Sequence, residues 1–146
     1  MLRKIIPERD SDLEPLKDPG QVTGFSSPAG DYIQERLHII QRLVKDPTNT
    51  YYFEMENNDM IQVGINKGAL LVVDRSIKPR NGSIIVGHYE GEWLTRMLVS
   101  NQYLSKGPMD RKPIKIEENG ILVFGVVTWA CNPLVGEGSS DIIKLD

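Results

Sequence analysis

The residue types that carry most enzyme chemistry are few in this chain and lie far apart. The 146 residues include one cysteine, Cys131, and two histidines, His38 and His88. No Ser-His-Asp arrangement is readable around either histidine, and the three residues do not form a cluster with metal-ligand spacing. We therefore expect no metal site, no cofactor and no internal disulfide, and we expect Cys131 to be a buried, inert thiol.

Composition and charge narrow the class of protein. The chain has 20 acidic and 17 basic residues, a net charge of −3, and 40% apolar residues, as in an ordinary globular domain. The acidic balance argues against direct DNA binding, which usually needs a basic surface. No apolar run approaches a membrane span, and the N-terminus has no continuous apolar run of the kind found in signal peptides. We expect a cytoplasmic protein that does not contact membranes.

The chain divides into two regions by composition. Residues 1–30 are rich in proline and glycine, which disfavours regular structure and predicts a flexible N-terminal arm. Residues 31–146 are long enough for one domain with a hydrophobic core. This domain is expected to open with an amphipathic helix at about 31–45, with Asp31 as N-cap and an end at Asp46-Pro47.

From Thr50 onward the pattern changes to short runs rich in valine, isoleucine and tyrosine, which is typical of strands. Glu90-Gly91-Glu92, between Tyr89 and Trp93, predicts a tight hairpin turn. Trp93 and Trp129 fall within these runs, either as partner-facing aromatics or as partly buried sheet residues. The expected fold is mainly β, a curled and mostly antiparallel sheet with one N-terminal helix and an extended N-terminal arm. The predicted strands lie at about 50–55, 69–74, 83–89, 92–99, 102–106 and 121–130.

Five separated blocks of sequence carry a resemblance to a known family. They are SPAGDY (27–32), NDMI (58–61), GALLVVD (68–74), GEWLTRML (91–98) and VFGVV (123–127). In order and spacing these blocks resemble the UmuD proteins of the LexA/UmuD, or S24-type, self-cleaving serine peptidases. The agreement of five separated blocks makes the resemblance specific.

The resemblance implies both a fold and a role. UmuD proteins look like LexA-type peptidase domains without a DNA-binding domain, form homodimers, and cut their own N-terminal arm in response to RecA filaments. They then serve as accessory subunits of an error-prone translesion polymerase in the SOS response to DNA damage. The bond that the family cuts, Ala-Gly or Cys-Gly, corresponds here to Thr23-Gly24. Thr23 is β-branched and bulkier than the family's usual residue at this position.

The two catalytic positions implied by the resemblance carry other side chains. The family uses a serine followed by methionine, with a lysine as base. Asp59, between Asn58 and Met60, occupies the serine position, and Arg96 occupies the lysine position. Arginine stays protonated at neutral pH and cannot act as a base, and a carboxylate is a weaker nucleophile than an activated alkoxide. We therefore expect a pseudo-peptidase in which Asp59 and Arg96 form a direct ion pair.

Simpler interpretations remain open for both residues. Asp59 follows two asparagines and fits an ordinary turn, while Arg96 fits a solvated charge on a strand. The sequence also leaves open whether the arm lies on its own protomer or on the other one.

Three functions remain open on the sequence alone. The first is a non-catalytic UmuD-like accessory subunit, whose partners are a translesion polymerase subunit, a RecA filament or an active paralogue. The second is a self-cleaving S24-type peptidase with another nucleophile, although Ser26 and Ser27 lie in the arm rather than in the domain. The third is a phage-derived or antitoxin-like regulator that reuses the fold, since fold does not fix function.

Overall fold

The computed structural model describes residues 2–5 and 28–135. The predicted scissile bond Thr23-Gly24 and the serines Ser26 and Ser27 lie outside these residues. The elements in chain order are β1 (Leu2–Ile5), α1 (Pro28–Leu43), β2 (Thr50–Met55), β3 (Leu70–Asp74), β4 (Ile84–Tyr89), β5 (Glu92–Val99), β6 (Tyr103–Ser105), β7 (Ile114–Lys115) and β8 (Leu122–Cys131).

The mainly β fold predicted from the sequence is confirmed. The predicted bounds of β2 and β5 match those of the structure, those of β3 and β4 differ by one residue at the first end, and those of β6 and β8 differ by one residue at both ends. The predicted helix is also present, but it begins at Pro28 and ends at Leu43. Asp31 is therefore a helical residue and not the N-cap. Proline is well tolerated at the first helical position, because the N–H that it lacks has no partner within the helix there.

The first strand was not expected from the sequence. Residues 1–30 were predicted to lack regular structure, and this is wrong for β1, which pairs antiparallel with β2. The prolines that suggested an arm begin at Pro7, beyond the end of the strand. A four-residue strand gains its order from the neighbouring sheet edge and not from its own propensity, so local pattern does not reveal it.

All strand pairs of the sheet are antiparallel, in the order β1-β2-β3-β8-β4-β5-β6-β7. The register of β8 shifts at two places, against Val72/Val73 of β3 and against Val86/Gly87 of β4. Such irregularities bend the strands and increase their twist. β1 comes into contact with β5 although four strands separate them in the sheet. The sheet is therefore curled, as predicted.

Two clusters of buried side chains form the core. The first joins β1, β2, β3 and β4 with the segment after β2, and Phe53 and Leu71 are fully buried in it. The second lies between β4, β5, β6 and β8 and contains Ile85, Leu94 and Leu104. Ile61, although apolar, is exposed, because it begins the short 3-10 turn Ile61–Val63 on the surface.

The hairpin between β4 and β5 fixes the position of the site residue on β5. Its two turn residues, Glu90 and Gly91, both have positive φ, 50° and 80°. This backbone matches the right-handed twist of the flanking strands and confirms the predicted tight turn. The resulting register places Arg96 opposite Ile85, both buried in the middle of their strands.

Gly125 lies where β8 packs closely against β3. A Cβ atom at this position would lie 2.9 Å from Val73 Cγ1 and 3.1 Å from the carbonyl oxygen of Asp74. We expect Gly125→Ala to lower the free energy of unfolding by about 1–3 kcal/mol because of overpacking, as measured by urea denaturation.

A double-mutant cycle provides the control. In a Val73→Ala background the cost of Gly125→Ala should be smaller, since the nearest clashing methyl group is gone. Equal costs in both backgrounds would contradict this explanation.

Candidate functional site

Asp59 lies in the turn that follows β2. Its backbone N–H donates to Asn57 Oδ1 at 3.0 Å, the local bond expected of an Asx turn. Asn58, the residue before Asp59, accepts a hydrogen bond at its side-chain Oδ1 from the backbone N–H of Lys67 at 2.9 Å. Met60 is fully buried, and its carbonyl accepts from Val63 and Ile65. The buried methionine and these bonds hold the Asp59 carboxylate in place.

Arg96 approaches the same place from β5. Only 5% of its side chain is exposed, so the guanidinium is buried among strand residues. Its Nη1 donates to the carbonyl of Thr95 at 2.7 Å, and Thr95 Oγ1 donates to the carbonyl of Ile85 at 2.9 Å. The alternative of a solvated strand charge is therefore wrong for Arg96.

The two side chains meet, and the predicted direct ion pair is confirmed. Arg96 Nη2 lies 3.5 Å from Asp59 Oδ2. Charge-assisted hydrogen bonds of this type are usually about 2.7–2.9 Å long, so the contact is mainly electrostatic attraction. The Asp59 side chain is 27% exposed, which leaves one side of the carboxylate open to solvent.

The electrostatics of the pair follow from its burial. Desolvation lowers the pKa of Arg96 below its ordinary value, and the negative charges of Asp59 and Asp110 oppose that shift. Arginine remains a cation at neutral pH even when buried, because its ordinary pKa is so high. Position 96 therefore holds a fixed positive charge that donates hydrogen bonds and accepts no proton.

Two further charged residues belong to the site, and the sequence analysis missed both. Lys106 Nζ lies 4.0 Å from Asp59 Oδ1. Asp110 accepts hydrogen bonds from the backbone N–H groups of Lys106 and Lys112, which lower the pKa of its carboxyl. We call Asp59, Arg96, Lys106 and Asp110 the charge cluster. Its two acidic and two basic side chains have formal charges that cancel. In the sequence, the only signal for this loop is the alternation of basic and acidic residues in 106–112.

The loop after β6 is fixed against the turn that carries Asp59. Gln62 Oε1 accepts a hydrogen bond from the backbone N–H of Met109 at 2.8 Å. Gly107 packs so closely on Gln62 that an added Cβ would lie 2.5 Å from Gln62 Cβ. This docking brings Lys106 to Asp59 and covers part of the site.

Ser105 is the hydroxyl nearest in sequence to this loop, and it is buried. Its Oγ donates to the carbonyl of Gly107 at 2.6 Å and accepts from the Gly107 backbone N–H at 3.1 Å. A hydroxyl held in this way supports the loop and is not available for attack on a peptide bond.

The cysteine, the two histidines and the two tryptophans do not belong to the charge cluster. Cys131 is exposed at the end of β8, so the expectation of a buried thiol is wrong. The sequence did not reveal this, because a residue at the end of a strand follows the same local pattern whether or not another element covers it. His38 is exposed on α1, and the half-buried His88 packs against Trp93 at a ring distance of 4.8 Å. Trp93 is partly buried, whereas Trp129 is 39% exposed.

The described residues contain neither a metal-ligand cluster nor a membrane-spanning helix. Within 2–5 and 28–135, no group of three or more histidine, cysteine, aspartate or glutamate side chains converges as metal ligands would. None of the helices described there is long and apolar enough to cross a membrane.

The energetic role of the ion pair is testable with Asp59→Asn. We expect this change to lower the free energy of unfolding by about 1–3 kcal/mol, because the buried Arg96 cation loses its carboxylate. Urea denaturation of the variant and the parent protein measures the loss. Glu56→Gln, at an exposed acid just before the turn, is the matched control and should change stability by less than about 0.5 kcal/mol.

The pairwise part of this effect is obtained from Arg96→Met. In the Arg96→Met background, Asp59→Asn should cost less, since no buried cation remains to be compensated. Additive costs would show that the pair contributes no coupling energy.

Comparison with known proteins agrees with this geometry. The family model described as Peptidase S24-like matches residues 21–128. Protein ImpA from Escherichia coli and from Salmonella typhimurium is 32% identical over 121 residues, which cover 82% of this chain and 83% of ImpA. Protein SamA from Salmonella typhimurium is 28% identical over 130 residues, covering 88% and 93%. Protein MucA from Escherichia coli is 30% identical over 109 residues, covering 72% and 75%.

These relatives are proteins of the UmuD family, as the five sequence blocks predicted. The matched region contains α1, the turn of Asp59, the β5 strand of Arg96 and most of β8. The chain therefore belongs to the Peptidase S24-like family and, within it, to the UmuD-like proteins of the SOS response to DNA damage.

Proposed function

We propose that this protein is a UmuD-like accessory subunit of error-prone translesion DNA synthesis that does not cleave itself. One observation carries the proposal. A carboxylate and a buried guanidinium face each other at 3.5 Å, and the resemblance assigns their positions to the family's serine and lysine. The match of Asp59 and Arg96 to the dyad rests on the sequence blocks.

The chemistry of the pair argues against self-cleavage. A serine peptidase with a lysine base needs a hydroxyl nucleophile and a neutral amine that takes its proton. Here the first position offers a carboxylate already engaged by two cations, and the second a guanidinium that stays charged. Lys106 lies at 4.0 Å, but its side chain is 44% exposed and it faces a carboxylate instead of a hydroxyl nucleophile. The site stabilises local structure and lacks the parts of an acyl-transfer centre.

The expected biological consequence is a chain that keeps its arm. In the cytoplasm such a protein would act through binding, with a translesion polymerase subunit, a RecA filament or an active paralogue as partner. An uncut subunit would resemble the permanently immature form and restrain mutagenic synthesis. Its Thr23-Gly24 bond would remain a substrate for the active site of a paralogue in a mixed dimer.

Self-cleavage is measured by intact mass. The purified protein is incubated with RecA filaments, nucleotide and single-stranded DNA, and separately at alkaline pH, beside a relative known to cut. We expect the chain to stay at full length in both conditions. A product beginning at Gly24 would overturn the proposal and require another nucleophile.

Restoration of the dyad gives the complementary result. We expect Asp59→Ser with Arg96→Lys and Thr23→Ala to produce cutting before Gly24, while Asp59→Ser or Arg96→Lys alone produces none. Nucleophile and base act as a unit, so neither is effective without the other. Burial should lower the pKa of the introduced lysine, and cutting should therefore increase with pH. Cutting by either single variant would contradict the assignment of the two positions.

We also propose that the protein is a homodimer. Apolar side chains lie exposed on α1 and near the end of β8, among them Leu37 (50%), Ile40 (48%) and Trp129 (39%). The two surfaces adjoin, because the Arg42 guanidinium lies 5.9 Å from the centre of the Trp129 ring. An exposed apolar surface with a central tryptophan and arginine has the composition of an interface.

Light scattering after gel filtration tests the dimer. We expect a mass of twice 16.5 kDa at micromolar concentration, and a shift towards monomer for Ile40→Asp combined with Trp129→Asp. Met109→Asp, at an 80% exposed position in the 106–112 loop, is the matched control and should leave the mass unchanged. A monomeric parent protein would exclude this interface.

A further inference from the structure

The first strand occupies the outer edge of the sheet in a defined register. Leu2 lies opposite Met55, Lys4 opposite Phe53 and Ile5 opposite Tyr52. Because side chains alternate along a strand, Leu2 and Lys4 face the same side, and Arg3 faces the other. Leu2 is only 6% exposed and belongs to the first core cluster. Leu2 therefore anchors β1 in the hydrophobic core.

Lys4 lies over a group of aromatic rings. Its ammonium nitrogen is 4.8 Å from the centre of the Tyr51 ring, 5.5 Å from Phe124 and 5.8 Å from Trp93. We call these three residues the aromatic triad. Cations within about 6 Å of a ring face are attracted by the ring quadrupole, and several rings around one cation form the kind of cage that binds lysine and quaternary ammonium groups.

The aromatic triad is held together without the help of β1. The Tyr51 and Phe124 rings are 5.0 Å apart, as are those of Trp93 and Phe124, and Phe53 packs 5.2 Å from Trp93. All these contacts are edge-to-face, the arrangement that aromatic pairs prefer. The rings come from β2, β5 and β8, so the cage depends on the curled sheet and not on its occupant.

Arg3 adds a charge contact on the opposite face. Its guanidinium pairs with the Glu54 carboxylate, the residue directly across the strand pair. Both side chains are substantially exposed, at 65% and 35%. Exposed ion pairs contribute little to stability. The Glu54 carboxylate therefore favours a basic residue at position 3 but adds little to the binding of β1.

We propose that the outer edge of β2 is a docking site for an extended protein segment of the pattern apolar–basic–lysine–apolar, which β1 fills in cis. A partner segment with this pattern adds to the sheet edge when β1 is displaced. The backbone N–H and C=O groups of β2 at this edge form hydrogen bonds with the added strand, as in other cases of peptide recognition by a sheet edge. The first core cluster, Glu54 and the aromatic triad recognise three successive side chains.

The shortness of β1 favours exchange. It has four residues, pairs through its backbone with β2 alone among the described strands, and is joined to α1 through residues 6–27. Its occupancy depends largely on the high effective concentration that this covalent link provides. A free segment of the same pattern therefore competes once the cis strand is weakened.

The test uses the full-length chain with a weakened β1, Arg3→Glu together with Lys4→Glu. A fluorescein-labelled peptide with the sequence of residues 2–8 is titrated and its anisotropy is measured. We expect the variant to bind the peptide at least about tenfold more tightly than the parent chain does, because the competing cis strand is lost. A peptide with alanine for Lys4 should bind about two- to fivefold more weakly, as expected for one exposed cation–π contact.

The controls locate the binding site. Adding Glu54→Lys to the weakened chain should reduce binding of the peptide, whereas Glu117→Lys, an exposed acid on the loop before β8, should not. Equal binding by the parent and weakened chains, or equal effects of the two lysine substitutions, would overturn the proposal. So would the absence of binding by a weakened chain whose circular dichroism matches that of the parent.

A covalent lock covers the case in which the weakened chain does not fold. Arg3→Cys and Glu54→Cys, with Cys131→Ser, place two thiols at directly opposed positions of an antiparallel pair, within reach of a disulfide. The oxidised chain should bind no peptide, and reduction should restore binding because β1 is then free to leave. Equal binding in both redox states would show that the peptide does not use this edge.

Discussion

A guanidinium buried in the middle of a β-strand is the constraint on which the site depends. Arg96 is 5% exposed, and a cation removed from water must be compensated by acceptors and by negative charge. The Thr95 carbonyl and the Asp59 carboxylate provide this compensation. The turn after β2 must therefore present an acid towards β5, and the Asx bond to Asn57 and the burial of Met60 hold it there.

The same constraint explains why the loop after β6 is so closely attached. Lys106 and Asp110 add one positive and one negative charge, so the cluster remains balanced. Buried or partly buried ion pairs often contribute little net stability, because desolvation offsets the attraction between the charges. Their value lies in specificity: an incorrect arrangement of the loop would leave a charge without compensation, and the contacts of Gly107 and Met109 with Gln62 select the correct one.

The curl of the sheet connects the site to the N-terminal strand. β5 carries both Arg96, which faces Asp59, and Trp93, which belongs to the aromatic triad beside Lys4. The Thr23-Gly24 bond lies in sequence between β1 and α1. A cut there would leave β1 attached through noncovalent contacts alone. In a chain that keeps this bond, the strand remains tethered.

Local sequence determined the elements whose side chains follow a strong pattern. β2 and β5 were predicted with their observed bounds because they are rich in β-formers and limited by turn residues, and Glu90-Gly91 fixed the hairpin between β4 and β5. The order of the sequence blocks also predicted that Asp59 and Arg96 would meet. The two side chains carry opposite charges, and a buried arginine requires such compensation.

Only the tertiary structure decided the features that depend on distant parts of the chain. β1 exists because an exposed strand edge is available to it, and Lys4 reaches aromatic rings from three strands that the curl of the sheet brings together. Lys106 and Asp110 lie in a loop whose position is set by contacts with Gln62. Cys131 is exposed at the end of β8, where none of the elements in the described residues covers it. Residue type and spacing specify local conformation, but burial and long-range charge contacts arise only when the sheet closes on itself, since they depend on which strands become neighbours.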